Sequence, residues 1–321
     1  MGATSIEWTE ISWNPVRGCS RVSPGCDHCY AIGQARRTHG PGGAYEGLTT
    51  IRRGRVDWTG FARLVPEQLD VPLRRRKPAR YFVNSMSDLF HESLTNEEIA
   101  AVFGAMATSP WHTFQVLTKR AKRMLEWFEW VSNLESDEWT EVHYAALQRD
   151  ESGTLHAQSD AAPGRPWPLP NVWIGVSAEN QETADKRIPL LLKCPAAVRW
   201  VSAEPLLGPL DARPFLHRGQ HRVCPRCLFA TNARITDTVC PNAGCGGTLG
   251  TDIALDWVVV GSESGHRARP MALDWITSLR DQCSAAGVPF FAKQISNEHD
   301  KKGGNPEHWP PGPWPREFPN A

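Results

Sequence analysis

Val172-Trp173-Ile174-Gly175-Val176-Ser177-Ala178-Glu179 is a short apolar run that breaks off into small residues and a carboxylate, and the chain uses the same formula twice more. One repeat closes on Val201-Ser202-Ala203-Glu204 and the other on Val260-Gly261-Ser262-Glu263, with Asn84 to Asp88 as a looser fourth. Runs of this kind, rich in β-branched and aromatic residues and bounded by small or polar ones, read as strands buried on both faces. Tyr81 to Asn84, Phe114 to Thr118, Val198 to Ser202, Trp257 to Gly261 and Pro289 to Lys293 share that pattern. Helical patterns lie between them. Thr95 to Ala107 opens on a Thr95/Glu98 capping box and carries the stripe Ile99, Val102, Phe103 and Met106, while Leu273 to Ala286 stops at Gly287. Strands alternating with helices predict parallel βα units.

Residues just past successive strands serve as markers of the repeat. From Asp88 to Lys119 is 31 residues and from Glu179 to Glu204 is 25, each right for one βα unit. Lys119 to Glu179 spans 60 and Glu204 to Glu263 spans 59, so each of these units carries an insertion. The first falls at 131–168, polar and Pro-rich near its end, and the second at 217–252. With a first strand near Ile11 to Pro15 the series has about seven strands. The expected fold is therefore α/β, a full or partial β/α (TIM-like) barrel over residues 1–300. A doubly wound open sheet fits the same pattern, because the sequence does not give strand order. Residues 301–321 hold six prolines with Trp309 and Trp314, which excludes regular helix and predicts an extended tail pinned to the body or docked on a partner.

The 321 residues carry 35 basic and 35 acidic side chains, so overall charge selects no partner. No apolar run reaches membrane-span length and the N-terminus lacks a secretory pattern, which predicts a cytoplasmic protein without a membrane partner. Seven of the nine cysteines fall in two tight clusters, and in a reducing compartment clustered thiols suggest metals before disulfides. Cys194 and Cys283 stand alone on apolar helical stripes and read as core.

The first cluster is Cys19, Cys26 and Cys29, spaced C-x6-C-x2-C with Pro24 and Gly25 turning the loop. Structural zinc takes four protein ligands, whereas a 4Fe-4S cluster held by three thiolates leaves one iron open. The odd count favours the cluster; the other reading is zinc completed by His28 or His39. A loop directly after a first barrel strand is also where such folds assemble cofactors.

The sequence resembles the phage-associated three-cysteine-motif proteins, a family encoded beside a "three-Cys-motif partner" protein and related to radical S-adenosylmethionine (SAM) enzymes. The resemblance rests on Trp13-Asn14-Pro15 leading into the triplet, Asn84-Ser85-Met86-Ser87-Asp88-Leu89-Phe90, Leu117-Thr118-Lys119-Arg120, Gly175 to Asn180, Ser202-Ala203-Glu204-Pro205 and Gly261 to Gly265. Mainstream radical SAM enzymes space their cysteines C-x3-C-x2-C, and this chain has six residues in the first gap. The resemblance implies an iron-sulfur enzyme, supplied by an electron donor, that cleaves SAM reductively to a 5'-deoxyadenosyl radical acting on an unidentified substrate. In such a barrel the strand ends share one face with the triplet, so Ser85, Ser87, Asp88, Ser177, Glu179 and Glu204 are the expected SAM contacts. Helix capping is the competing role for each of them. Lys119, Arg120 and Glu263 are the candidates for substrate contact, with a solvated salt bridge as the alternative.

The second cluster, Cys224, Cys227, Cys240 and Cys245, has the spacing C-x2-C-x12-C-x4-C and supplies four thiolates, which predicts a zinc ribbon inserted in the barrel. Arg52-Arg53-Gly54-Arg55, Arg74 to Arg80 and Lys119 to Arg123 are basic runs suited to phosphates. A nucleotide or nucleic acid is accordingly one candidate for the unidentified substrate, and a solvated charged face is the competing reading of these runs. The alternative function is a non-catalytic nucleic-acid-binding protein whose two cysteine groups both hold zinc.

Overall fold

The computed structural model describes residues 2–52, 54–134, 138–155, 166–217, 222–224, 230–231, 253–263, 268–296, 300 and 303–320. The chain falls into two compact units, Met1–Trp173 and Ile174–Ala321.

In the first unit β1 (Gly2–Ala3) pairs antiparallel with β2 (Ile11–Trp13). The chain then makes an excursion through β3 (Val16–Gly18), the six-residue helix α1 (Tyr30–Ala35), β4 (Thr49–Arg52), β5 (Arg55–Trp58) and β6 (Ala62–Leu64). Here β3 pairs antiparallel with β6, and β4 with β5. The regular series resumes with β7 (Arg80–Val83), α2 (Asn96–Ala107), β8 (Thr113–Thr118), α3 (Ala121–Ser132) and α4 (Glu138–Leu147), and reaches β9 (Val172–Ser177). The second unit continues through α5 (Gln181–Lys193), β10 (Val198–Ala203), α6 (Arg213–Leu216), the antiparallel pair β11 (Arg222–Val223) and β12 (Ala230–Thr231), β13 (Trp257–Gly261), α7 (Leu273–Ala286) and β14 (Phe290–Gln294).

All seven expected strands are present, and their sheet order β2-β7-β8-β9-β10-β13-β14 follows the chain without reversal. A doubly wound sheet would turn back at a switch point. Seven parallel strands in chain order, joined by helical crossovers, are instead the topology of a partial β/α barrel. The strand reading held because these runs are buried on both faces: all six residues of β9 and all five of β13 are buried.

Helix α2 starts where its sequence says, with the Thr95 hydroxyl accepting from the Glu98 N–H and the Glu98 carboxylate accepting from the Thr95 N–H. It is buried almost all round, since every residue from Ile99 to Ala107 is covered. The reason lies in the first insertion, which is more than a polar addition. Its helix α4 packs on α2, and a Cβ at Gly104 would fall on the Val142 carbonyl. Trp127 and Phe128 of α3 enclose the same core, with the Phe103 and Trp127 rings stacked 4.3 Å apart.

In the second unit α5 is capped by Asn180, whose side chain accepts from the Thr183 N–H. Helix α7 ends as expected at Gly287, which adopts the left-handed conformation at φ +65°. Cys194 and Cys283 are fully buried, as their stripes implied. The described part of the C-terminal tail is pinned to the body: Ala292 N donates to Pro315 O at 2.8 Å and Glu317 N to Phe290 O at 3.0 Å. The Phe318 ring lies against Trp257 and Phe291, while Trp309 is buried and donates to Gly303 O. In the second insertion β11 and β12 bracket the first cysteine pair, and Cys224 is buried. Cys227, Cys240 and Cys245 lie outside the described residues.

Candidate metal centre

Strand β3 ends at Gly18, and the next residue is Cys19. Gly18 sits at φ +88°, and a side chain there would meet the Phe61 carbonyl, so only glycine lets the chain turn into the cysteine loop against β6. A single 3-10 turn over Pro24–Cys26 follows, and Cys29 is the N-cap of α1. Arg21 clamps the loop by donating to the Cys26 and Asp27 carbonyls and reaching Asp57 of β5 at 3.2 Å.

Cys19, Cys26 and Cys29 are half-buried thiols, none in a disulfide. Cys19 and Cys29 pack against a small core of Ala31, Ile32, Ala35, Tyr45, Leu48 and Trp58, together with Met86. Burial pushes the Cys19 thiol up to about 12, with Asp88 adding to the rise and Arg120 opposing it. Burial also raises Cys29, against the opposing pull of the Ala31 and Ile32 backbone at the start of α1. Cys19 feels the charge of both other cysteines and Cys29 that of Cys26, which puts the three in one neighbourhood. Among the described residues, however, no three or more His, Cys, Asp and Glu side chains are gathered into a ready-made ion cage. The triplet is an open grouping of thiols on the loop between β3 and α1.

The surrounding loops are fixed by long-range bonds. Asn14 Oδ1 accepts from Ser85 Oγ and Met86 N, and Asn84 Oδ1 accepts from Val16 N. Asn84 takes φ +63°, a left-handed conformation that asparagine tolerates better than most residues. Ser87 Oγ donates to Val16 O at 2.7 Å, and the Tyr30 hydroxyl donates to Ser85 O at 2.6 Å.

Asp88 and Arg120 form the most heavily bonded group beside the triplet, and both are buried. Asp88 accepts from Phe90 N at 3.0 Å, Thr118 Oγ1 at 2.7 Å, Lys119 N at 3.1 Å and Arg120 Nη1 at 3.0 Å. Arg120 also donates to Glu92 at 2.9 Å and to the Ser20 carbonyl and hydroxyl at 3.1 and 2.7 Å, and its Nη1 lies 3.9 Å from Cys19 Sγ. His91 accepts at Nδ1 from Ser93 N, so Nε2 carries the proton and faces Ser20 Oγ at 3.0 Å. Burial and Arg120 lower its pKa, which keeps it neutral. One guanidinium thus presents fixed positive charge to the first cysteine.

Of the expected SAM contacts in the first unit, Ser85 and Ser87 brace loops and Asp88 holds Arg120. In the second unit Ser177 and Glu179 are buried; Arg187 Nη1 bonds the Ser177 carbonyl at 2.8 Å and Glu179 Oε2 at 3.0 Å. Glu204 accepts from Ser202 Oγ and lies 2.8 Å from Lys293 Nζ, and a Cβ at Gly261 would stand 2.6 Å from it. Glu263 receives Arg269 through its backbone N–H and guanidinium. Every expected carboxylate is therefore engaged inside its own unit. Arg120 is not a solvated ion pair, and Lys119 contributes its amide to Asp88. Asn14, Ser20, Asn84, His91 and Thr118, to which the sequence pattern gives no role, complete the setting. The one cue in the sequence was an asparagine directly after a strand.

Among the described residues no helix is long and apolar enough to cross a membrane. No curated protein and no solved structure matches the chain. Residues 3–307 match the family model described as a protein of unknown function, DUF5131, and the chain therefore belongs to the DUF5131 family.

Proposed function

We propose that the chain is a radical SAM-like iron-sulfur enzyme whose cluster is held by Cys19, Cys26 and Cys29. The observation that carries this reading is the trio of unpaired thiols in one neighbourhood, with the buried Arg120 directed at Cys19. Three cysteines are one short of a structural zinc site and complete for a cluster with an open iron. Bound there, the cluster supplies one electron for reductive cleavage of SAM to a 5'-deoxyadenosyl radical.

The chain's own residues supply the setting. Cys19 and Cys29 are held protonated by burial, so loading displaces their protons and strengthens as pH rises. Arg120 offsets the negative charge that three thiolates bring, and Asp88, Glu92 and Ser20 keep it in place. Hydrogen bonds and positive charge near cluster sulfur raise its reduction potential, which eases the electron's arrival from a donor. Ser85, Ser87 and Asn14 fix the loops that flank the triplet. The second cysteine group, Cys224, Cys227, Cys240 and Cys245, is proposed to hold structural zinc, consistent with the β11–β12 pair around its first two members.

The test is anaerobic incubation with SAM and a low-potential reductant, read as 5'-deoxyadenosine. Wild type should form it, and Cys26→Ala and Cys29→Ala should not. A fully iron-loaded wild type that forms none would refute the SAM chemistry.

A further inference from the structure

The excursion between β2 and β7 carries an arrangement that neither the cysteines nor the fold explains. In the antiparallel pair β3–β6 the register places Arg17 directly opposite Arg63. In β4–β5 it places Arg52 directly opposite Arg55. Like charges facing each other across strands are unfavourable. Among the described residues, none of these four arginines has a carboxylate partner, although Arg21, in the same region, takes Asp57. Two uncompensated pairs in one excursion point to an anion that is brought by something else.

Strand alternation shows what lies beside the first pair. Ala62 and Leu64 are buried and face inward, which turns Arg63 and Phe61 outward on the same face as Arg17. Phe61 is 65% exposed, unusual for a phenylalanine that could have been covered. The register runs Val16↔Leu64, Arg17↔Arg63, Gly18↔Ala62 and ends there, where Gly18 turns the chain into the cysteine loop. The Phe61 carbonyl lies against Gly18, the residue before Cys19. One outward face therefore presents a flat exposed ring at the strand end that precedes the cysteine loop, and a pair of guanidinium groups two residues along.

We infer that the β3–β6 face binds single-stranded nucleic acid, with one base stacked on Phe61 and the neighbouring phosphate held between Arg17 and Arg63. A base in a duplex has no free face for the ring, whereas an unstacked base does. Arginine forks match phosphate oxygens geometrically, and the phosphate supplies the negative charge that the facing pair lacks. The strand would run past the cysteine loop, with Arg52 and Arg55 meeting its next phosphates. This deepens the substrate side of the proposed function and rests on that reading only for its catalytic meaning.

The experiment is fluorescence anisotropy with a labelled twelve-nucleotide DNA strand, the same RNA strand and the DNA duplex, at several salt concentrations. The full-length protein is used and its iron content is measured separately. Wild type should prefer either single strand to the duplex. Arg17→Ala and Arg63→Ala should each weaken binding about tenfold and reduce the salt slope by about 0.7. Phe61→Ala should weaken it about tenfold with the salt slope unchanged. Lys186→Ala, at an exposed lysine paired with Glu182 in the other unit, should bind as wild type does. Because Phe61 and Arg63 are exposed, their variants should melt with wild type, which separates lost binding from lost folding. Absence of single-strand binding, duplex preference, or variants that bind like wild type would overturn the inference. Failure here leaves the cluster reading intact, and iron-free protein that still binds the strand through Phe61 and Arg17 leaves this inference intact.

Discussion

Asp88→Asn keeps the shape of the side chain and removes one acceptor from the group beside the triplet. Oδ1 accepts from Phe90 N and Thr118 Oγ1, and Oδ2 from Lys119 N and Arg120 Nη1. An amide has only one oxygen, so in either orientation its NH2 points at two donors. In both orientations Arg120 also loses its buried counter-charge. Its remaining carboxylate, Glu92, is 61% exposed and correspondingly screened. Breaking a buried pair from one side costs about 3–5 kcal/mol, and a lost neutral hydrogen bond about 1 kcal/mol. Because the Ser20 and Glu92 contacts survive, the expected loss is about 3–4 kcal/mol. For a unit of this size that lowers the melting temperature by roughly 6–16 °C. Urea unfolding of the metal-free protein, followed by tryptophan fluorescence, measures it. Adding Arg120→Met removes the stranded charge, so the double variant should lose less than the sum of the two single variants. A single-variant loss below about 1 kcal/mol, or simple additivity, would show that the pair does not anchor this region.

Three further outcomes follow from the core. Cys283, pushed up to about 12 by burial and then by Glu317, stays protonated when folded while the unfolded thiol ionises near 9. Its contribution is present below pH 9 and lost as pH rises toward 12, at about 1.4 kcal/mol per pH unit, so Cys283→Ala should flatten the alkaline limb of the stability curve. His112 is buried, accepts from Ala79 N at Nδ1 and faces the Pro72 and Arg75 carbonyls with Nε2. Burial lowers its pKa, so the stability it contributes is present above pH 6.5 and lost as pH falls below that value; His112→Gln should flatten the acid limb in the same titration. Gly104→Ala drives a methyl group into the Val142 carbonyl of α4 and should cost about 1–3 kcal/mol by chemical denaturation, whereas a neutral effect would mean that α4 does not pack as described.

The parallel strands could be read from sequence because burial on both faces leaves continuous apolar runs such as Val172 to Val176 and Trp257 to Gly261. Strand order could not, since runs of this kind look alike wherever they stand in a sheet. The excursion was illegible for a different reason. Val16-Arg17-Gly18 and Ala62-Arg63-Leu64 are three residues each, too short for periodicity to register, and each exists only by pairing with a partner more than forty residues away. Helix α4 was hidden because its packing depends on a small residue in another helix, Gly104.

At the candidate site the thiols were legible from their spacing alone, whereas the roles of their neighbours were not. Arg120 reads as a surface charge in Lys119-Arg120-Ala121-Lys122-Arg123. Burial and a partner 32 residues away make it a fixed charge beside Cys19. The strand-end carboxylates read as an open rim for a cofactor, yet Glu179, Glu204 and Glu263 each face an arginine or lysine whose position no local pattern gives.

The most direct test of the central claim is the metal content of the anaerobically prepared protein. About four irons per chain should be lost together in Cys19→Ala, Cys26→Ala or Cys29→Ala, while zinc at the Cys224 group is retained. Zinc at both cysteine groups, with no iron taken up on reconstitution, would contradict it.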